Sequence, residues 1–230
     1  MYKYLTVIPA RGGSKRIKNK NLVLLNNKPL IFYTIDAALS STYCNKTIVS
    51  TDDISIAEYA KSQGVNVPFL RPDILAADNI PQVDVLNNAL KWYSDNELID
   101  AVILLQPTSP FRTYQHINEA VELFEKSNAD TLTSVCLVRE HPYYMWEKTG
   151  DELKPFLSLE HQTVDRRDLP PVFVENGAIY IIKSSLIESG KFYGERIIPY
   201  IMDFNSSIDI DTYDDWEYAE FKINIRNCVK

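Results

Sequence analysis

Two stretches carry side chains that can do chemistry, and they lie near opposite ends of the 230-residue chain. The first is Ala10 to Asn21, Ala-Arg-Gly-Gly-Ser-Lys-Arg-Ile-Lys-Asn-Lys-Asn. It holds Arg11, Lys15, Arg16, Lys18 and Lys20 and no acid. Two adjacent glycines let the backbone bend tightly, so successive amide N–H groups can point at one ligand. Exposed amides among clustered cations bind a polyanion, and a nucleoside triphosphate is the obvious one. A plain solvated loop is the alternative. The position directly after an N-terminal strand favours phosphate, because open α/β sheets bind ligands there. Neither a P-loop nor the Gly-x-Gly-x-x-Gly fingerprint is present.

The second stretch is Ile208-Asp209-Ile210-Asp211. In extended backbone this spacing puts both carboxylates on one side and both isoleucines on the other. Paired carboxylates suit Mg²⁺, which completes its shell with waters and phosphates. The competing reading makes Asp211 the cap of a last helix, with Asp214, Asp215 and Glu217 at its N-terminal dipole. From Asp203 to Phe221 there are seven acids and no cations, a complement to the basic loop.

Weaker signals lie between. Gln106, Thr108, Ser109 and Arg112 follow an apolar run and are stiffened by Pro107 and Pro110. They either grip a sugar or base, or form a turn with a helix cap at Thr113. Arg71-Pro72 either reaches a base or phosphate or is surface, and Asn176-Gly177 reads as a tight turn. His116 and His141 have no partner spacing for a metal or a nucleophilic triad.

The elements that must position these residues alternate. Strands are expected at Tyr4 to Ile8, Leu22 to Leu25, Thr47 to Ser50, Val65 to Leu70, Ala101 to Leu105, Thr131 to Val138, Gly177 to Ile182 and Ile197 to Met202. Helices are expected after Pro29, after Asp53 until Gly64, from Pro81 to about Tyr93, over Tyr114 to Lys126, and over Thr212 to Ile225 with Trp216, Ala219 and Ile223 inward. Strand-helix alternation predicts an α/β fold with a mostly parallel twisted sheet. The rhythm breaks over 139–171, too long for a simple connection and too aromatic for a disordered linker. It either covers the sheet or packs on a second copy; tyrosines and Trp146 beside arginines favour the second. The whole chain, 1–230, reads as one domain with this excursion.

Bulk properties narrow the class. A net charge of −7 argues against a protein that coats nucleic acid. The three cysteines, Cys44, Cys136 and Cys228, are too widely spaced for a disulfide framework or a metal finger. Cys44 and Cys136 read as packing residues. Neither a signal peptide nor a membrane span is expected, which points to the cytoplasm.

Taken in order, Ile-Pro-Ala-Arg-Gly-Gly-Ser-Lys with Lys20-Asn21, Val49-Ser50-Thr51-Asp52, Leu70-Arg71-Pro72, Leu105-Gln106-Pro107-Thr108-Ser109-Pro110, Asn176-Gly177-Ala178-Ile179-Tyr180 and Ser207-Ile208-Asp209-Ile210-Asp211 resemble the bacterial acylneuraminate cytidylyltransferases, or CMP-sialic acid synthetases. The resemblance covers nearly the whole chain. It implies a Rossmann-like nucleotidyltransferase fold with a protruding dimerisation segment, and a homodimer. The implied reaction joins CMP from CTP to a nonulosonic acid, N-acetylneuraminate first, and releases pyrophosphate.

The resemblance also implies roles by residue. Ala10, Arg11, Ser14, Lys20 and Asn21 hold triphosphate and ribose, with Arg11, Lys15 and Lys20 stabilising the leaving phosphates. Arg71 and the following loop to Gln82 line the cytidine pocket, next to Gln106. Gln106, Tyr180, Phe192 and Tyr193 contact the sugar, and Arg166 reaches the sugar carboxylate in the partner's site. Asp209 and Asp211 bind Mg²⁺, with Mn²⁺ as a substitute. Arg16, Tyr144 and Glu175 depart from the family pattern. These departures read as lying on the sugar side, so a legionaminic- or pseudaminic-type acid is a second acceptor class. The rivals are a cytidylyltransferase for the eight-carbon acid Kdo and a non-catalytic nucleotide-sugar sensor.

Overall fold

In the computed structural model, residues 2–94 and 98–228 are described. The strands are β1 (Tyr4–Pro9), β2 (Leu24–Leu25), β3 (Lys28–Pro29), β4 (Thr47–Ser50), β5 (Ala101–Leu104), β6 (Thr131–Leu137), β7 (Trp146–Thr149), β8 (Glu152–Pro155), β9 (Phe173–Lys183) and β10 (Ile197–Ile201). The helices are α1 (Leu30–Ser40), α2 (Ile54–Ser62), α3 (Gln82–Ser94), α4 (Tyr114–Ser127), α5 (Ser184–Glu188) and α6 (Tyr213–Cys228).

A six-stranded sheet in the order β10-β6-β9-β5-β1-β4 forms the centre. β1 runs parallel to β4 and β5, and β10 runs parallel to β6. β9 is antiparallel to both of its neighbours, β5 and β6. The fold is therefore α/β with a mostly parallel sheet, as expected, and one reversed strand is set inside it.

Side-chain alternation explains why both faces are covered. Tyr4, Ile8, Ala101, Ile103 and Ile181 bury one face against α1, α2 and α4 through Ile31, Ile35, Ala57, Ala60, Ile117 and Phe124. Leu5, Val7, Val102, Leu104 and Ile182 bury the other against α3 and α5 through Val83, Leu86, Leu90 and Ile187. Burying each such aliphatic side chain contributes about 1.5–3 kcal/mol. Cys44 and Cys136 are buried free thiols, in line with a packing role; the Cys228 side chain lies outside the described residues.

Two expected strands differ. Over 65–70 there are only isolated bridges, Ile48 to Asn66 and Thr51 to Leu70. Pro68 supplies no N–H there, so a continuous ladder cannot form. The stretch from Lys20 begins as a 3₁₀ turn (Lys20–Leu22), and only Leu24–Leu25 pairs, in a hairpin with Lys28–Pro29. Asn26 and Asn27 adopt positive φ at its tip, a conformation asparagine tolerates better than most residues.

β6 and β9 pair outward as far as Leu137 and Phe173. Between them, 139–171 forms the antiparallel hairpin β7–β8 with short 3₁₀ turns. Met145, Trp146, Leu153, Phe156, Leu157 and Leu159 stand exposed on this excursion. No helix among the described residues is long and apolar enough to cross a membrane.

Candidate active site

The two chemically marked stretches meet through a small apolar cluster. Ile17, inside the basic loop, is buried with Ile208, Ile210, Leu25, Leu30 and Trp216. Ile210 also donates its N–H to the Thr108 carbonyl at 2.8 Å. Because the isoleucines turn inward, Asp209 and Asp211 face out toward the cations. Lys20 Nζ lies 2.8 Å from the Ile210 carbonyl oxygen and 3.0 Å from Asp211 Oδ1. Arg16 Nη1 lies 3.4 Å from Asp211 Oδ2. Arg16 therefore sits with the loop cations beside Asp211 and lines the same hollow, apart from Tyr144 and Glu175, with which the sequence reading grouped it.

Asp211 does not cap the last helix. Thr212 and Asp215 do so reciprocally: Asp215 Oδ2 accepts from the Thr212 N–H at 2.8 Å, and Thr212 Oγ1 accepts from the Asp215 N–H at 3.3 Å. Asp211 is thereby left to the cleft. Burial, then the neighbouring Asp211 charge, push the Asp209 carboxyl up against the lowering effect of a Thr108 hydrogen bond. A divalent cation between the two acids would relieve that repulsion, so the donor set fits one. No group of three or more His, Cys, Asp or Glu suited to a metal occurs among the described residues. Waters and phosphates would complete the shell.

The basic loop is held from below. Asn21 Nδ2 donates to the Arg11 carbonyl at 3.0 Å, and the Gly12 N–H donates to Asp52 Oδ1 at 3.1 Å. A β-carbon on Gly12 would stand 2.7 Å from Asp53 Oδ2, so the close approach requires glycine. Asp53 itself caps α2 through the Ile56 N–H at 3.0 Å. Ala10 is fully buried and bonds to the Ser50 carbonyl at 2.9 Å.

Arg11, Ser14, Lys20, Asn21, Arg71, Gln82, Gln106 and Thr108 line one hollow of about 190 Å³. A second of about 350 Å³ shares Arg11, Ser14 and Lys20 and adds Lys15, Arg16, Asp78 and Asp211. The two hollows adjoin across these three shared residues and are treated together as the cleft. Arg71 is buried, with Nε 3.2 Å from Ser50 Oγ and Nη2 on the Ser50 carbonyl. Burial lowers its guanidinium to about 10. Sequence reasoning missed Asp78, whose oxygens sit 2.7 Å from Arg11 Nη1 and 2.5 Å from Lys15 Nζ. Hydrogen bonds from Lys15 and Arg11 hold its carboxyl below the usual range. An acid in a polar loop gives no local signal of such a contact.

β9 lies against Gln106, which lines the first hollow, and close to Asp209. Asn176-Gly177 is no tight turn but part of an irregular stretch of β9, where the register to β6 shifts between Thr133 and Val135. Asn176 Oδ1 accepts from Ser134 Oγ at 2.6 Å, and its Nδ2 donates to Ser207 Oγ at 2.8 Å. Gly177 has φ +72°, and a β-carbon there would sit 2.9 Å from Gln106 Oε1 and 3.9 Å from Asp209 Cγ. Tyr180 packs on Phe192 with ring centroids 5.2 Å apart, and Phe192 on Tyr193 at 5.0 Å.

Arg112 and Ser109 turn into the core, where Arg112 Nη1 donates to the Gln106 and Ala178 carbonyls at 3.1 Å each. Burial lowers the Arg112 guanidinium to about 9. It braces the end of β5 against β9 instead of touching a ligand. Arg166 donates to the Arg139 carbonyl at 2.7 Å, at the base of the excursion and away from the cleft lining of its own chain. Tyr144 belongs to the excursion as well, its hydroxyl donating to the Val164 carbonyl at 2.8 Å.

Comparison with known proteins gives a consistent answer. Residues 5–220 match the family described as cytidylyltransferase. The chain is 39% identical over 223 residues to a CMP-N,N'-diacetyllegionaminic acid synthase of Legionella pneumophila, covering 95% of each chain. It is 37% identical over 219 residues to an N-acylneuraminate cytidylyltransferase of Escherichia coli, covering 94% of this chain and 51% of that one. The chain thus spans about half the length of that longer relative. A solved CMP:2-keto-3-deoxy-manno-octonic acid synthetase, complexed with CTP, has the same fold at TM-score 0.74 and 16% identity, covering 97% of this chain and 99% of that one.

Proposed function

The chain belongs to the cytidylyltransferase family, and from that premise we propose that it transfers CMP from CTP to the anomeric hydroxyl of a nonulosonic acid, releasing pyrophosphate. One observation carries this reading: a single hollow joins the cationic loop to Asp211, the outer member of the Asp209–Asp211 pair, through the 3.0 Å contact of Lys20 with Asp211. A triphosphate needs the first, and an in-line displacement at its α-phosphorus needs charge on both sides.

In this mechanism Arg11 and Lys15 bind the leaving phosphates, and Lys20 neutralises charge between them and the acid pair. Arg71 and Gln82 border the cytidine end, and Asn21 keeps the loop in place through the Arg11 carbonyl. Gln106 and Tyr180 border the sugar, whose hydroxyl oxygen bonds to the α-phosphorus as the α–β anhydride bond breaks. Asp209 and Asp211 are the residues that would hold Mg²⁺, or Mn²⁺ in its place. An ion held there would supply positive charge near the reacting phosphate and would make the attacking hydroxyl more acidic.

N-acetylneuraminate is the acceptor the sequence suggests. N,N'-diacetyllegionaminate is the second reading, favoured by the Legionella relative that matches over 95% of both chains. We also propose a cytoplasmic homodimer joined through 139–171, whose exposed Trp146, Phe156 and Leu157 suit an interface core. Such a pairing offers Arg166 to the partner's sugar carboxylate.

Incubation with CTP, Mg²⁺ and, separately, N-acetylneuraminic, legionaminic, pseudaminic and Kdo acids tests the proposal. A CMP-sugar by mass with one of the nine-carbon acids is expected. CMP-Kdo alone would move the chain to the eight-carbon rival, and CTP binding without pyrophosphate from any acid would make it a sensor.

A further inference from the structure

One charged group beside the cleft has no part in the chemistry above. Glu175 of β9 accepts from the Tyr193 hydroxyl at 2.8 and 3.0 Å, one contact to each carboxylate oxygen, and from the Tyr180 hydroxyl at 3.3 Å. No lysine or arginine forms an ion pair with it among the described residues. Its place follows from topology. β9 runs antiparallel to β5 with Tyr180 opposite Leu104, so Glu175 lies beyond the end of β5, on the side where Gln106 emerges. Asn176, the next residue, is tied to Ser207 in the segment leading to Asp209. Burial pushes the Tyr180 hydroxyl up first, and the charges of Glu175 and Asp209 add to that.

A carboxylate is a strange choice here. Both substrates of the proposed reaction are anions, and a fixed negative charge beside them repels both. Neutral phenols orient this one without cancelling its charge. An ionised carboxylate only accepts hydrogen bonds, and its two oxygens offer about four acceptor sites, more than the phenols fill. A ligand group that satisfies it must donate, and it does so best from nitrogen that is positive or strongly polarised. We infer that Glu175, held by Tyr180 and Tyr193, is a specificity-determining residue on the sugar side of the cleft, where it takes a nitrogen donor, an amide N–H or an ammonium, carried by the sugar acid. The same charge turns the acid's own carboxylate away, toward the cations. This inference rests on the nonulosonic-acid reading above.

The test compares Glu175→Gln with the unaltered enzyme at saturating CTP and Mg²⁺. Each is given nitrogen-substituted nonulosonic acids and matched acids with hydroxyl at the same carbons. Glutamine keeps an oxygen for Tyr193, and Glu175 is exposed, so the local fold and the melting temperature should persist. The unaltered enzyme is expected to prefer the nitrogen-bearing acid by about tenfold or more in kcat/KM. Glu175→Gln should shrink that preference to within about threefold, through KM for the acid and with KM for CTP unchanged. Tyr193→Phe, which frees one side of the carboxylate, should move the preference in the same direction by less. An unchanged preference in Glu175→Gln, or an equal rise in KM for CTP, overturns the assignment and leaves the parent reading standing. No turnover of any nonulosonic acid by the unaltered enzyme overturns both.

Discussion

The two regions proposed to take the nucleotide and the sugar handle charge in opposite ways. On the nucleotide side, cations rest on acids: Arg11 and Lys15 on Asp78, and Lys20 and Arg16 on Asp211. On the sugar side, the Glu175 carboxylate rests on phenols and keeps its charge. The difference separates two tasks. Cations paired in advance lose little when a triphosphate replaces one anion with another, because exposed ion pairs are worth only about 0–1 kcal/mol. A charge left uncancelled discriminates, because it rewards only a ligand that completes it.

The sharpest way to break this comparison is at Asp211, one of the two acids proposed to hold Mg²⁺ and the one that pairs with Lys20. Asp211→Ala should lower kcat by roughly a thousandfold and leave the melting temperature in place, since Thr212 and Asp215 start α6 without it. Pyrophosphate release near the normal rate would reduce Asp211 to a mere resting partner for Lys20.

Gly177→Ala acts on the seam between the two regions. Its φ of +72° and the 2.9 Å approach to Gln106 mean that an added methyl strains the backbone and displaces that side chain. A loss of about 1 kcal/mol is expected, seen as a melting point lower by about 2–4 °C, with kcat/KM for the sugar acid down by roughly tenfold. Gly150→Ala is the control. That glycine also has positive φ, at +62°, but lies in open space, so it should show the thermal loss alone. Equal activity losses in both variants would show that backbone strain, and not the Gln106 contact, sets the effect.

The nucleotide region was far more legible in sequence than the sugar region, and the reason is physical. Cations around a Gly-Gly bend and an Ile-Asp-Ile-Asp repeat declare their chemistry locally, and their meeting needed only Ile17, Ile208 and Ile210 to share one apolar cluster. Likewise apolar runs and helix caps mark β1, β4, β5 and the helices between them. The reversal of β9 between β5 and β6 has no local mark, because an apolar strand reads alike in either direction. Its consequences were therefore hidden. Arg112 stood open between a ligand contact and a turn until the Ala178 carbonyl of β9 was there to receive it. Glu175 looked like a mere sequence departure until the tyrosines closed on it. Asp78 was equally silent, because its partners come from a different loop.

Asp78 also supplies the smallest effect and the finest test of paired cations. In the resting cleft its carboxylate occupies Arg11 and Lys15 together, the two groups proposed to receive phosphate. A bound triphosphate would displace it, so Asp78→Asn should tighten CTP binding by about twofold to fivefold, as expected for losing one partly exposed competitor. The sign is fixed by protonation: Lys15 and Arg11 hold the Asp78 carboxyl below its usual range, so at neutral pH the competitor is fully charged. Added salt screens the resting pair, and the ratio of the two dissociation constants should therefore shrink between 50 and 500 mM NaCl. Weaker CTP binding by Asp78→Asn at low salt would mean that Asp78 positions Arg11 for the phosphates, and the nucleotide side would then hold its cations ready by orientation, not by exchange.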